Sequence, residues 1–315
     1  MTTGGTPRIV FRADASLEIG TGHMMRCLAL AEELRRRGAD CVFVCRELRG
    51  HRIDDVRCRG FEIHALPQPA SSAGWLGVPV ELDAMETRAA VGDRVSWLVV
   101  DHYGLDADWE RQLRPVTPRI MVIDDLADRP HDCELLLDQN LGHEPGDYDG
   151  LVPPDCELFC GPTFALLRPE FARLRPQSLA RRVAAGSTTG GATAPQLARL
   201  LVSMGGVDND NVTGRVLDAL AACELPSAVE VTVVMGSGAP WLEQVRRQAE
   251  ALSLPVAIAV DVADMAQRMS QADFAIGAAG TSSWERCCLG LPAAVAVLAD
   301  NQASLATALG AAGAA

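Results

Sequence analysis

Residues 8–26 read RIVFRADASLEIGTGHMMR, and the fold turns on how this stretch divides. Arg8 to Arg12 (RIVFR) is a short apolar run of the kind buried on both faces of a parallel sheet. Ile19-Gly20-Thr21-Gly22-His23 follows as a glycine loop, with Arg26 one turn further on. A helical pattern runs from His23 to Arg37 and stops at Gly38. Strand, glycine loop and helix in this order open a doubly wound α/β domain. No third glycine completes the dinucleotide fingerprint. Gly20 and Gly22 still let backbone amides approach a ligand closely, at a helix start that carries partial positive charge.

The alternation continues outward. Cys41 to Cys45 (CVFVC), Trp97 to Asp101 (WLVVD), Ile120 to Asp124 (IMVID) and Glu134 to Leu137 (ELLL) are further strand-like runs, each followed by a polar cluster. Residues 176–196 (PQSLARRVAAGSTTGGATAPQ) lose apolar periodicity and read as an interdomain linker. Five more strands are expected at Arg199 to Met204, Val229 to Met235, Pro255 to Val260, Ala272 to Gly277 and Ala293 to Leu298. The expected organisation is two Rossmann-like doubly wound α/β domains, 1–175 and 197–315, facing a cleft between the carboxyl ends of both sheets. The ending LATALGAAGAA carries little information, and a final helix there is expected to be incomplete or absent.

Composition narrows the function. The 315 residues are 48% hydrophobic and 22% charged, the balance of a globular chain. Acidic residues outnumber basic ones 41 to 28, a formal net charge of −13, which repels nucleic-acid backbones and anionic membranes. All basic residues are arginine, so Schiff-base chemistry, pyridoxal phosphate anchoring and the Walker lysine are excluded. Cys41/Cys45 and Cys156/Cys160 lack C-x-x-C spacing and read as small strand residues rather than zinc ligands. The N-terminus has no apolar signal core, and the longest apolar run, Cys287 to Ala299, is broken by Gly290 and Pro292. A reducing, cytoplasmic setting is inferred.

Four polar clusters fall on the carboxyl edge of the first predicted sheet: His23, Asp101-His102-Tyr103-Gly104, Asp124-Asp125 and Asp138-Gln139-Asn140. Each is also ordinary turn chemistry. His23 reads either as a neutral imidazole base kept uncharged by the helix start, or as a histidine that caps or packs at the loop. Asp106-Ala107-Asp108 and Asp208-Asn209-Asp210 have the spacing of a metal–diphosphate ligand set, but helix capping accounts for them more simply. In the second half, Ser203-Met204-Gly205-Gly206 and Gly236-Ser237-Gly238 are candidate diphosphate or nucleoside loops. Gly280-Thr281-Ser282-Ser283-Trp284-Glu285 reads two ways. Ser282 and Glu285 have capping-box spacing; alternatively, the helix start holds a diphosphate and Glu285 accepts ribose hydroxyls.

Taken together, FRADASLEIGTGHMMRCLALA (11–31), VVDHYGLD (99–106), the 124–125 aspartates, YDGLVPPDCELFCGPTFALLRPEF (148–171), SMGGVDNDN (203–211) and GTSSWE through LADNQ (280–302) resemble a known family. It is that of the UDP-2,4-diacetamido-2,4,6-trideoxy-β-L-altropyranose hydrolases of pseudaminic acid biosynthesis. The resemblance implies a GT-B type fold and an inverting, metal-independent hydrolase that takes a UDP-sugar and water and uses no cofactor. It puts His23 in the place of the base that activates water. It puts Asp14, Gly20, Gly22, Tyr103, Gly205, Gly206, Asn211, Ser282, Glu285 and Asn301 at substrate-binding positions. Partners would be other enzymes of the sugar pathway, with no nucleic acid and no membrane. Two other classes stay open: a glycosyltransferase using a UDP-amino sugar, and a non-catalytic sugar-nucleotide-binding protein.

Overall fold

A computed structural model describes residues 5–69, 74–92, 95–186, 197–226 and 228–315. By contact density the chain divides into two compact units, Met1–Leu166 and Leu167–Ala315. The first unit runs β1 (Arg8–Ala13), α1 (Gly22–Arg36), β2 (Asp40–Arg46), α2 (Ile53–Cys58), β3 (Glu62–Leu66) and α3 (Val80–Val91). It continues with β4 (Trp97–Asp101), α4 (Ala107–Leu113), β5 (Ile120–Ile123), β6 (Leu135–Asp138) and β7 (Glu157–Cys160). Its seven strands pair in parallel in the order β3-β2-β1-β4-β5-β6-β7.

Alternation along β1 feeds two cores. Val10 packs with Val42, Val100 and Trp109 on one face, while Phe11 packs with Phe43, Met24 and Leu28 on the other. The Phe11 and Phe43 rings stack with centroids 4.9 Å apart. Both are fully buried, each contributing about 1.5–3 kcal/mol of apolar transfer. This two-sided burial is why the central strands read as continuous apolar runs.

The second unit opens with α5 (Pro169–Gly186), then β8 (Arg199–Ser203), α6 (Val212–Ala222), β9 (Glu230–Met235) and α7 (Leu242–Ala251). It closes with β10 (Val256–Val260), α8 (Met265–Gln271), β11 (Phe274–Ala278), α9 (Ser282–Cys288), β12 (Ala293–Ala296) and α10 (Ala303–Ala311). The strands again pair in parallel, in the order β10-β9-β8-β11-β12.

The expected boundaries need correction. The division falls at Leu166/Leu167 rather than after 175, and residues 176–186 of the expected linker are helical, the end of α5. The reason is packing: Phe171 is fully buried with Leu201 and Leu289, and Arg182 donates to the carbonyls of Met269, Ala272 and Leu289. The rest of the expected linker, 187–196, lies outside the described residues. β3 and β7 were not expected; they are the two edges of the first sheet, where partial exposure removes the apolar run.

In each unit the chain winds one way from its first strand and then reverses. The reversal falls between β1 and β4 in the first sheet and between β8 and β11 in the second. Ligands of doubly wound sheets bind beyond the strand carboxyl ends at such a point.

Candidate active site

In the first unit, β1 delivers the chain through a loop closed by reciprocal backbone bonds between Ser16 and Gly20. Gly20 takes φ +80°, which favours glycine. His23 then stands in the first turn of α1, beside Asp101, the last residue of β4, which is aligned with Ala13 of β1. His23 Nδ1 lies 2.5 Å from Asp101 Oδ1. Arg26, one turn along α1, donates to the same carboxylate through Nε (2.6 Å) and Nη2 (2.7 Å), and through Nη1 to Asp125 (2.9 Å). Burial alone would raise the Asp101 pKa, but Arg26 and His23 outweigh it and hold the group well below the usual carboxylate range. An ionised Asp101 accepts a proton carried on Nδ1, and in a neutral ring of that tautomer Nε2 is the acceptor.

Tyr103 meets the His23 ring edge-on, centroids 4.6 Å apart, and Trp75 in turn meets Tyr103 at 5.3 Å. Burial pushes the Tyr103 phenol up, with Asp125 adding to it, so it remains a donor. His102 is not a second base: it is buried, and its Nδ1 accepts the Gly104 N–H at 3.0 Å. Burial pushes its pKa down to about 4.

Asp14, expected at a substrate-binding position, is engaged internally in this structure. It is fully buried, and its oxygens accept from Arg12 Nη2 (2.9 Å) and the Arg46 N–H (2.7 Å). Arg12 and Arg46 also converge on Asp83 of α3, so the carboxyl edge near β1 and β2 is neutralised from within. Asp124 and Asp138 are likewise buried, with the Tyr148 hydroxyl 3.2 and 2.9 Å from them. The polar clusters do gather at one edge, and the carboxylates of Asp101, Asp124 and Asp138 there are buried.

In the second unit, Gly205 takes φ +91° in the loop after β8. The Gly236 N–H bonds to Gly206 O at 3.1 Å, and a Cβ on Gly236 would lie 2.3 Å from that oxygen, so these two loops touch only because position 236 is glycine. Glu285 does not form the capping box that its spacing suggested. Thr281 is the cap residue of α9 without a side-chain bond, and the Glu285 carboxylate meets Arg168 at 3.4 Å. Burial raises the Glu285 pKa against the pull of Arg168. Asn211 caps α6, accepting from the Gly214 N–H at 3.2 Å. Asn301 is exposed in a short 3₁₀ turn, Asp300–Gln302.

The aspartate pairs are also accounted for. Asp106 caps α4 through the Asp108 and Trp109 N–H groups, and Asp208 accepts from the Val212 and Thr213 N–H groups. Among the described residues no cluster of His, Cys, Asp and Glu is placed to hold a metal ion, and no helix is long and apolar enough to cross a membrane. Sequence reasoning missed Arg168 and Arg286. The i, i+3 spacing of His23 and Arg26 was the available signal that both reach one carboxylate.

These two parallel sheets define the class: a GT-B type fold of two Rossmann-like units. Its structural neighbours include Acinetobacter baumannii MurG, 14% identical, TM-score 0.56, covering 97% of this chain and 82% of that one. UGT2 of Phytolacca americana is also 14% identical, with TM-score 0.60, covering 98% and 84%. By sequence, the chain is 26% identical over 267 residues to the UDP-2,4-diacetamido-2,4,6-trideoxy-β-L-altropyranose hydrolase of Campylobacter jejuni, covering 84% of this chain and 82% of that protein. It is also 26% identical over 301 residues to the spore coat polysaccharide biosynthesis protein SpsG of Bacillus subtilis, covering 93% and 78%. No family model matches the chain.

Proposed function

We propose that the protein hydrolyses UDP-2,4-diacetamido-2,4,6-trideoxy-β-L-altropyranose, releasing UDP with inversion at the anomeric carbon. The observation that carries this reading is the His23–Asp101 pair at the β1/β4 reversal, with Nε2 as its basic atom. Water attacks the anomeric carbon and passes its proton to Nε2. The bond from that carbon to the diphosphate oxygen breaks, and its electron pair leaves on UDP. Asp101 stabilises the imidazolium that forms. UDP is a good leaving group, so no acid partner and no metal are assigned.

Tyr103 borders the sugar in this reading, with Gly20 and Gly22 opening the loop beside it. Gly205, Gly206 and Ser282 receive the diphosphate, Glu285 the ribose, and Asn211 and Asn301 flank the nucleotide. Support for the substrate class comes from the hydrolase relative. The free thiols suit a reducing compartment such as the cytoplasm. Exposed Trp75, Leu82 and Met85 favour a second reading, a transferase with the same base and an acceptor hydroxyl in place of water. An NMR time course with the UDP-sugar and no acceptor decides. Free UDP and an inverted reducing sugar are expected; substrate that stays intact until an acceptor is added selects the transferase.

A further inference from the structure

Among the described residues, four arginines are at most 3% exposed: Arg12, Arg26, Arg46 and Arg286. Three meet carboxylates: Arg12 with Asp14 and Asp83, Arg26 with Asp101 and Asp125, and Arg46 with Asp83 and Glu86. Arg286 meets only neutral acceptors. Its Nη2 donates to the Ala278 carbonyl (2.8 Å) and Ser283 Oγ (2.9 Å), and its Nη1 to Ser282 Oγ (3.2 Å). The adjacent Glu285 turns to Arg168 instead. Burial pushes the Arg286 pKa down. Burial acts on Arg26 in the same sense, but its aspartates outweigh it and raise the value.

The position matters as much as the charge. Arg286 packs against Gly277, which is aligned with Ser203, so the guanidinium lies at the carboxyl edge between β11 and β8. A Cβ on Gly277 would stand 2.6 Å from Arg286 Nη1 and 2.9 Å from the Ser203 carbonyl, so glycine there makes room for the cation. This is the reversal point of the second sheet, where the fold takes its ligand.

We propose that Arg286 is the buried counter-charge for the phosphate groups of a bound nucleoside diphosphate, acting through the Ser282 hydroxyl. The inference rests on the UDP-sugar reading above. A buried cation without an anion is costly, and a ligand anion removes that cost. Both serine oxygens accept from the guanidinium; Ser283 is buried and holds the cation from within, while the partly exposed Ser282 keeps its own hydrogen to donate onward. The arginine is thus a positioning residue: it polarises the Ser282 hydroxyl donor and supplies the field behind it. Neutral acceptors hold it in place when the anion departs.

Calorimetry with UDP, inorganic pyrophosphate and uridine on the parent and on Arg286→Gln tests this, beside a melting temperature for each. The glutamine variant is expected to bind UDP and pyrophosphate about 10–100-fold more weakly, with uridine unchanged and the ligand-free melting temperature close to the parent's. Equal UDP affinity in parent and variant overturns the proposal while leaving the UDP-sugar reading intact. A parallel loss of UDP and uridine affinity with a lower melting temperature also overturns it, since Arg286 is then only a strut. A parent that binds UDP no better than uridine removes both readings. Should Arg286→Gln not fold, the variant Ser282→Ala keeps the cation and removes the relay. It is expected to lose about tenfold in UDP affinity with uridine unchanged, and undiminished UDP affinity overturns the proposal.

Discussion

His23 owes its proposed role to Asp101, 78 positions away in sequence, and to Arg26, which locks that carboxylate from the other side. Replacing His23 by Ala is expected to lower turnover by about 10²–10⁴ with little change in UDP affinity. Steady-state kinetics beside calorimetry checks this, and near-parental turnover would remove His23 from the mechanism. His102, its buried neighbour in the DHYG motif, has a different signature. Its pKa falls from 6.5 to about 4 on folding, so between those values the unfolded chain binds more protons than the native one. The stability His102 contributes is therefore present above about pH 6.5 and lost as pH falls towards 4. Urea midpoints across this window should slope less steeply for His102→Gln than for the parent; parallel slopes would assign the acid sensitivity elsewhere. His23 was singled out in the sequence by its glycine loop and helix start. What its ring meets was not legible there, because Asp101 lies 78 positions away, whereas His102 accepts the nearby Gly104 N–H.

Helix starts separate local from imported information. Asp106, Asp208 and Asn211 all act as caps, as their residue types and spacing favour, because a cap needs only backbone amides a few positions on. Asp106→Ala is expected to cost about 1 kcal/mol of stability, within the usual 0.5–2 kcal/mol for a lost cap, and to leave turnover unchanged. Activity should also persist in excess EDTA. A drop in the chelator that Mg²⁺ reverses, together with an inactive Asp106→Ala, would make the aspartates metal ligands after all. Ser282 and Glu285 have capping-box spacing too, but there the pattern misleads: Arg168 and Arg286 capture both side chains. Strands divide in the same way. WLVVD was read to the residue because β4 is central and buried, whereas β3 and β7 lie at edges and carry no such run.

At the scale of the whole chain, α5 is the element that sequence reading placed wrongly. Its polar, Pro-containing stretch looks like a linker, yet Ser178, Arg181 and Arg182 donate to carbonyls at the ends of α8 and α9. The fragment 167–315 is accordingly expected to melt cooperatively, and 197–315, which lacks α5, to remain largely unfolded. Circular dichroism melts of both fragments decide it, and equal melting temperatures would return α5 to the status of a linker. The sequence by itself determined the doubly wound class, the central strands and the glycine loops. Those rest on apolar periodicity and backbone freedom, which act within a few residues of the chain. Only the tertiary structure decided that Asp14 is buried against Arg12 and Arg46, that His23 meets Asp101, that Glu285 pairs with Arg168, and that Arg286 meets no carboxylate among the described residues. Each is a long-range or negative fact about burial and charge pairing, and a buried charge is defined by what the fold brings beside it.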